Sequence, residues 1–172
     1  MKASSKFDFI IVGGGLSGLH LSYCFLNDKY FKDYSILIID KEKSKKEDNF
    51  FSFWEAGNGK WDKILKQRWN KADFYSSTGK VVMDFSEYNY KTLSSSKFEE
   101  YVKRKIKKKK NFKFIKDTVL KIREDKNKLV VVGNKKNYQA KHIFDSRLAS
   151  GIHEEIKKYT YLKQHFLGWV IK

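Results

Sequence analysis

Three glycines near the start of the chain have the spacing of a phosphate-binding turn. Gly13, Gly15 and Gly18 satisfy the pattern G-x-G-x-x-G, and they directly follow the apolar run 7–12. In such a turn the first glycine permits a tight bend, the second lets a pyrophosphate approach the backbone, and the third lets a helix pack closely on a strand. Free N–H groups and the positive end of the helix attract phosphate. We therefore expect the whole turn to bind cofactor: Gly13, Gly14, Gly15, Leu16, Ser17 and Gly18.

An acidic residue stands where the ribose of a dinucleotide would be bound. Asp40 follows Gly18 by 22 residues and ends the apolar run 36–39. A carboxylate at this place accepts hydrogen bonds from the adenosine ribose hydroxyls and disfavours a 2′-phosphate. The glycine turn and Asp40 together predict a dinucleotide site. The alternative is a structural glycine turn with an unrelated aspartate.

The elements that must position these residues form a strand–helix–strand unit. We expect a buried strand at 7–12, a helix at 16–26, a second buried strand at 36–40 and a charged loop at 41–48. Parallel strands joined by a helix cross over with right-handed geometry. The predicted apolar stripe of the helix consists of Leu16, Leu19, Tyr23 and Leu26.

The rest of the chain lacks the regular alternation of helices and strands that a plain NAD domain has. An aromatic-rich stretch precedes a hairpin with strands at 73–75 and 81–85, and a capping box of Ser96 and Glu99 opens a helix. The apolar side of that helix holds Phe98, Tyr101, Val102 and Ile106. Further strands are predicted at 112–115, 118–123, 129–132, 142–145 and 166–172.

This order of elements is similar to that of FAD-binding flavoproteins in which a substrate domain interrupts the nucleotide domain. In that superfamily a strand after the helix brings its backbone to the adenine edge, and Val119 occupies this place. The predicted fold is α/β, with a Rossmann-like FAD/NAD(P)-binding domain, a parallel sheet and a partial α+β insertion. The expected segments are the βαβ unit at 1–48, the aromatic-rich insertion at 49–95, the helix and strand meander at 96–150, and the start of a further substrate-domain segment at 151–172.

Six segments, in order along the chain, resemble the lycopene cyclase family of bacterial carotenoid synthesis. They are Asp8–Ser17, Asn49–Trp54, the spaced Trp61 and Trp69, Tyr90–Phe98, Ile143–Arg147 and Gln164–Trp169. Leu148 stands where the family has glycine, and Phe50 and Phe51 replace its His and Thr. The resemblance adds Asp145 to the cofactor-binding residues.

The resemblance implies an isomerase of the intramolecular lyase class. Such enzymes close the ends of linear lycopene, or a related linear carotenoid, into ionone rings. They use reduced FAD without net oxidation, and NAD(P)H keeps the flavin reduced. Aromatic side chains that could face a carbocation are Phe51, Phe53, Trp54, Trp61 and Trp69, although ordinary core packing would also explain them. Family members are much longer, so we expect this chain to be an N-terminal part that is inactive alone; its catalytic acid is not identified.

The net charge of +17 raises other possibilities. Most of the excess is lysine spread along the chain, whereas base readers favour arginine, so we expect no nucleic-acid partner. A cytoplasmic protein in peripheral contact with anionic lipid on the inner membrane face fits better, because no run is long enough for a membrane span and Cys24 is a lone cysteine. Lys107–Lys110 is expected to be a solvated helix end.

Three alternative functions remain open. They are an FAD-dependent oxidoreductase of monooxygenase or desaturase type, a non-catalytic fragment, and a basic nucleic-acid-binding module.

Overall fold

The computed structural model of the chain describes residues 4–41, 48–125 and 128–147. The predicted strand at 166–172, the segment 151–172 and most of the predicted loop 41–48 lie outside these residues.

The main sheet of the described chain has six strands: β1 at Ser4–Val12, β2 at Ile36–Asp40, β8 at Phe112–Lys116, β9 at Val119–Asp125, β10 at Lys128–Gly133 and β11 at Asn137–Asp145. Their order in the sheet is β8-β2-β1-β11-β10-β9. The first four are parallel, and β10 and β9 continue the sheet as an antiparallel meander. Strands 36–39 and 10–12 are fully buried, as expected for parallel strands covered on both faces. This confirms the predicted α/β class and the paired strands of the βαβ unit.

Two apolar clusters lie on opposite faces of this sheet. One joins Ile11, Ile36 and Ile38 to two helices, α1 at Leu16–Asn27 and α2 at Ser95–Ile106. The other joins Ile10 and Leu37 to side chains of the meander and of β11. Because alternate residues of each strand enter alternate clusters, both faces are buried.

Helix α1 spans Leu16–Asn27, as predicted, and three residues of its predicted apolar stripe, Leu19, Tyr23 and Leu26, pack against the core. Leu19 is buried, whereas Leu16 is 42% exposed. Close packing of Gly18 on the preceding turn sets the rotation of the helix, so the buried stripe follows Gly18. It consists of Gly18, Leu19, Ser22 and Phe25.

Helix α2 spans Ser95–Ile106, and the predicted capping box of Ser96 and Glu99 is wrong. The N-cap is Ser94, whose hydroxyl accepts a hydrogen bond from the Lys97 N–H at 3.2 Å. Asp48 adds a second cap, since its carboxylate accepts from the Ser96 N–H at 2.9 Å. The predicted apolar side is correct: Phe98, Val102 and Ile106 are buried and Tyr101 is half-buried. Lys107–Lys110 is exposed, as expected.

The residues between β2 and α2 form two smaller sheets. An antiparallel sheet has the order β3-β7-β4, with β3 at Phe50–Ala56, β4 at Leu65–Trp69 and β7 at Tyr88–Ser94. The predicted hairpin is confirmed with longer strands, β5 at Lys71–Ser76 and β6 at Gly79–Asp84. Single 3₁₀ turns occur at Lys29–Asp33 and Asp62–Ile64. None of the described helices is long and apolar enough to cross a membrane.

Candidate dinucleotide-binding site

The carboxyl ends of the parallel strands bring the predicted site residues to one edge of the sheet. Val12 lies opposite both Ile39 of β2 and Asp145 of β11. On the outer side of β2, Asp40 lies opposite Lys116 of β8. Open α/β sheets bind ligands at this edge, in the crevice beyond the strand ends.

Two of the glycines shape the turn itself. Gly13 has a φ of +101°, a backbone conformation that side chains disfavour, and its N–H donates to the Ile39 carbonyl at 2.8 Å. A Cβ on Gly13 would overlap the Ser146 hydroxyl, and a Cβ on Gly18 would overlap the Gly13 carbonyl oxygen. These are the tight turn and the close helix packing that the sequence predicts.

Gly15 differs, because nothing in the described part of the chain requires it to be glycine. Its φ of −81° suits any residue, and a Cβ there would meet no atom of the described residues within 4 Å. No side chain caps α1, whereas α2 is capped by Ser94 and Asp48. The first N–H groups of a helix have no partners within the helix. Open space therefore faces the positive end of an uncapped helix, which fits a bound pyrophosphate.

Asp40 lies beside this open space. A Cβ on Gly14 would come within 2.8 Å of the Asp40 Oδ2 atom, so the turn passes directly over the carboxylate. Asp40, Gly13 and Val119 line one cleft of about 270 Å³. The structure thus brings together the phosphate, ribose and adenine positions that the sequence predicts.

Arg147 closes one side of this cleft. Its guanidinium makes a two-pronged ion pair with Asp145, with Nε to Oδ1 at 2.9 Å and Nη2 to Oδ2 at 2.8 Å. The same guanidinium donates from Nη1 to the Val119 carbonyl at 2.7 Å. Hydrogen bonds from Arg147 hold the pKa of the Asp145 carboxyl below its usual value. Arg147 thereby connects two residues predicted to bind cofactor.

Sequence reasoning gave no site role to three residues at this edge: Asp117, Ser146 and Arg147. Asp117 lines the cleft and is only 3% exposed. Burial opposes its ionisation, but hydrogen bonds from the Lys135 N–H and the Tyr138 hydroxyl outweigh that effect and lower its pKa. The position of Asp117 in the sequence could have indicated this, because a polar residue directly after a parallel strand lies at the binding edge of the sheet.

The five aromatic side chains predicted to face a substrate do not form one wall. Phe51, Phe53 and Trp61 line a separate cavity, which we call the Glu55 pocket. Trp54 is 55% exposed and packs against Phe85 and Tyr90, and Trp69 lies near the same Tyr90. Alternation along β3 separates Trp54 from its neighbours, because successive side chains of a strand point to opposite faces. The Glu55 pocket is lined by Leu16, His20, Phe51, Ser52, Phe53, Glu55, Lys60, Trp61, Leu93 and Phe98.

The fold and this edge define the class of protein: a Rossmann-like fold of the kind found in FAD-binding proteins. Within that class, residues 8–172 match the family model described as lycopene cyclase protein. The chain belongs to the lycopene cyclase family. The match spans all the described site residues, from Gly13 to Arg147.

Solved structures share the fold at low sequence identity. PqsL of Pseudomonas aeruginosa is 11% identical, with a TM-score of 0.68 over 94% of this chain and 48% of its own. The p-nitrophenol 4-monooxygenase PnpA of Pseudomonas putida is 15% identical, with a TM-score of 0.62 over 84% of this chain and 41% of its own. NikD, an amino acid oxidase of nikkomycin biosynthesis, is 9% identical, with a TM-score of 0.57 over 90% and 54%. The chain thus spans about half the length of these proteins. A search of curated protein sequences found no significant match.

Proposed function

We propose that this chain supplies the FAD-binding part of a lycopene cyclase. The observation that carries the proposal is the open space at Gly15, in front of the uncapped α1, within a chain of the lycopene cyclase family. A glycine that the protein itself does not need is explained by a ligand that must approach the backbone.

Each part of the edge has a role in holding FAD. The N–H groups of the turn 13–18 would bind the pyrophosphate, and Asp40 would accept hydrogen bonds from the adenosine ribose. The backbone of Val119 would meet the adenine edge, and Asp145 would complete the site from the next strand. When bound and reduced, FAD would support the reaction without net oxidation, with NAD(P)H as the proposed reductant.

The proposed reaction is an isomerisation that closes the ends of linear lycopene, or a related linear carotenoid, into ionone rings. Family membership supports this substrate class. The Glu55 pocket supports it too, because most of its lining is apolar and aromatic, as a hydrocarbon requires.

A substrate of this kind resides in lipid, so we also propose peripheral contact with the inner face of the cytoplasmic membrane. The net charge of +17 and the exposed run Lys107–Lys110 support attraction to anionic headgroups. Sedimentation with vesicles tests this: more protein should pellet with vesicles containing an anionic lipid than with neutral ones. Equal binding to anionic and neutral vesicles would contradict the proposed attraction between the basic surface and anionic headgroups.

The test of the cofactor assignment is a titration of the purified chain with FAD. The wild-type chain should bind FAD, and Gly15→Val should abolish binding while circular dichroism shows an unchanged fold. Ala56→Val, at an exposed strand end, is the matched control and should bind FAD normally. If Gly15→Val bound FAD with full affinity, the turn would not be part of the FAD site.

A second candidate is an FAD-dependent oxidoreductase of the monooxygenase type. The neighbours described as monooxygenases favour it, although likeness at this identity supports the fold alone. The product distinguishes the two reactions. A cyclase yields a carotene of the same mass as its substrate without stoichiometric NAD(P)H consumption, whereas a monooxygenase consumes NAD(P)H and adds oxygen.

A further inference from the structure

The hairpin of β5 and β6 projects from the rest of the described chain. All six residues of β6 and five of the six residues of β5 are exposed, and Ala72 is half-buried. A two-stranded hairpin has little stability of its own in water, because neither of its faces is covered. The side chains on those faces therefore indicate what the hairpin contacts.

Strand pairing sorts these side chains onto two faces. Residues directly opposite each other share a face, and successive residues of a strand alternate between faces. Phe74 lies directly opposite Val81, so these two side chains share a face. That face, which we call the apolar face, has no charged residue and consists of Ala72, Phe74, Ser76, Gly79, Val81 and Met83.

The opposite face holds every charge of residues 71–84, and these charges are balanced. Lys80 Nζ lies 2.8 Å from Asp73 Oδ2, and Lys71 Nζ lies 3.3 Å from Asp84 Oδ2. The Lys80 ammonium also lies 5.4 Å from the centroid of the Tyr75 ring. The hairpin is thus an amphipathic ribbon, the β-strand counterpart of an amphipathic helix.

The apolar face is uncovered in the described part of the chain. Phe74 is 56% exposed, Val81 is 58% exposed and Met83 is 42% exposed. Single apolar residues are common on protein surfaces, but a contiguous group of them marks an interaction site. Because no charged side chain lies among them, the site suits an apolar partner.

Exposed aromatic side chains adjoin the base of the hairpin. Trp54 and Trp69 are exposed, and both lie beside Tyr90. Tryptophan and tyrosine are enriched where membranes meet water, because their rings have an apolar body and a polar tip. A groove of about 550 Å³ joins this aromatic group to the hairpin and is lined by Trp69, Lys71, Ala72, Asp73, Phe85 and Tyr90.

The segment 60–69, which leads into the hairpin, supplies positive charge. Its one acidic residue, Asp62, already pairs with the buried Lys91. Basic side chains near a membrane surface are attracted to anionic headgroups. The exposed basic residues of this segment are Lys60, Lys63, Lys66 and Arg68.

We propose that the apolar face of the hairpin lies on an anionic lipid bilayer, with Phe74, Val81 and Met83 between the headgroups and the upper acyl chains. The ribbon lies flat on the surface, because unpaired strand edges cannot be buried in hydrocarbon and the outer edges of this two-stranded sheet are unpaired among the described residues. This inference rests on the membrane contact proposed above and names the surface that makes it. It depends on neither FAD nor the reaction.

The test uses neighbouring residues of equal exposure on the two faces. Val81 and Val82 are both 58% exposed, but only Val81 lies on the apolar face. The full chain is sedimented with vesicles of phosphatidylcholine and phosphatidylglycerol in equal amounts. Val81→Gln should weaken binding about tenfold and Val82→Gln less than about twofold, because only the first removes apolar area from the contact. Phe74→Gln and Tyr75→Gln form a second matched pair with the same expectation.

A fluorescent label shows which face meets the lipid. Val81→Cys and Val82→Cys are made in a Cys24→Ser background, since Cys24 is exposed, and each is labelled with a dye sensitive to its surroundings. Vesicles should shift the emission of the label at position 81 towards that of an apolar medium and leave the label at 82 near its value in water. A label at 81 that is already shielded without vesicles would overturn the proposal, because protein would then cover the apolar face.

The outcomes separate this inference from the proposed function. Equal vesicle binding by Val81→Gln and Val82→Gln would overturn the inference and leave membrane contact through basic residues standing. No vesicle binding by the wild-type chain would contradict both. A chain that binds vesicles through Val81 but does not bind FAD would contradict the cofactor assignment while supporting this inference.

Discussion

The carbonyl oxygen of Gly13 occupies the space that a Cβ on Gly18 would need, so the first turn of α1 is packed directly on the end of β1. A Cβ on Gly15, between them, would meet no atom of the described residues within 4 Å. The glycine pattern therefore contains two residues that the fold requires and one that the described fold does not require. Substitutions at these positions should separate stability from binding.

Replacing Gly18 by alanine should destabilise the protein. Overlap with a backbone oxygen cannot be relieved by turning a side chain, and such overpacking costs about 3 kcal/mol. Alanine regains about 1 kcal/mol of helix propensity, so we expect a net loss of about 2 kcal/mol. Urea unfolding measures it. Ser17→Ala, exposed in the same turn, should change the free energy of unfolding by less than about 0.5 kcal/mol, and equal losses in the two variants would contradict the packing argument.

Asp40→Ala should weaken the binding of FAD without unfolding the chain. Loss of a hydrogen bond to a charged group costs about 1–3 kcal/mol, so the dissociation constant should rise by about 5-fold to 150-fold. Fluorescence titration with FAD gives the value. Asp84→Ala is the control, because Asp84 lies on the exposed hairpin and pairs with Lys71 at 3.3 Å. Unchanged affinity in Asp40→Ala would place the ribose elsewhere.

Acid should unfold the protein partly through Asp8, in the middle of β1. Hydrogen bonds from Lys141 and from the Ser35 N–H and hydroxyl lower the pKa of Asp8 to about 2. Because the folded-state pKa lies below the ordinary value of 3.8, its contribution to stability is complete above about pH 4 and is lost as the pH falls towards 2.

Asp8→Asn should therefore lower the melting temperature at pH 7 and make little difference near pH 2. Thermal melts at pH 7, 4 and 2.5 test this. If the difference in melting temperature between wild type and variant stayed constant from pH 7 to 2.5, Asp8 would stabilise the fold through its shape rather than its charge.

The sequence predicted those features that depend on residues close in the chain. The apolar runs within 7–12 and 36–40 predicted buried parallel strands, because strands covered on both faces are apolar throughout. The glycine spacing predicted the turn that follows the first of them. The leucine stripe predicted most of the packed face of α1, but not the exposure of Leu16, because the contact of Gly18 with the Gly13 carbonyl oxygen sets how the first turn lies on β1.

Contacts between distant residues account for the other differences. Asp48 reaches the Ser96 N–H across 48 residues, so its part in capping α2 could not be predicted from the local sequence. The N-cap Ser94 is local, and it lies only two residues before the predicted Ser96. The pairing of β3 with β7 joins segments about 40 residues apart and sets which aromatic side chains share a face. Likewise, Arg147 meets the Val119 carbonyl only because the end of β11 lies at the same edge as the start of β9.

Lys91→Met should be the most damaging single change in the insertion. Removing the ammonium leaves Glu55 and Asp62 facing each other without their shared partner, and the loss of one member of a buried ion pair costs about 3 kcal/mol. Lys71→Met offers a matched control, since the Lys71–Asp84 pair is exposed and such pairs contribute at most about 1 kcal/mol. Urea unfolding at pH 7 should show this difference between the two variants. Because the cluster anchors the loop 57–62, Lys91→Met should also move the fluorescence of buried Trp61 (8% exposed) towards that of a solvated indole. Similar losses in both variants would mean that Lys91 contributes packing rather than charge.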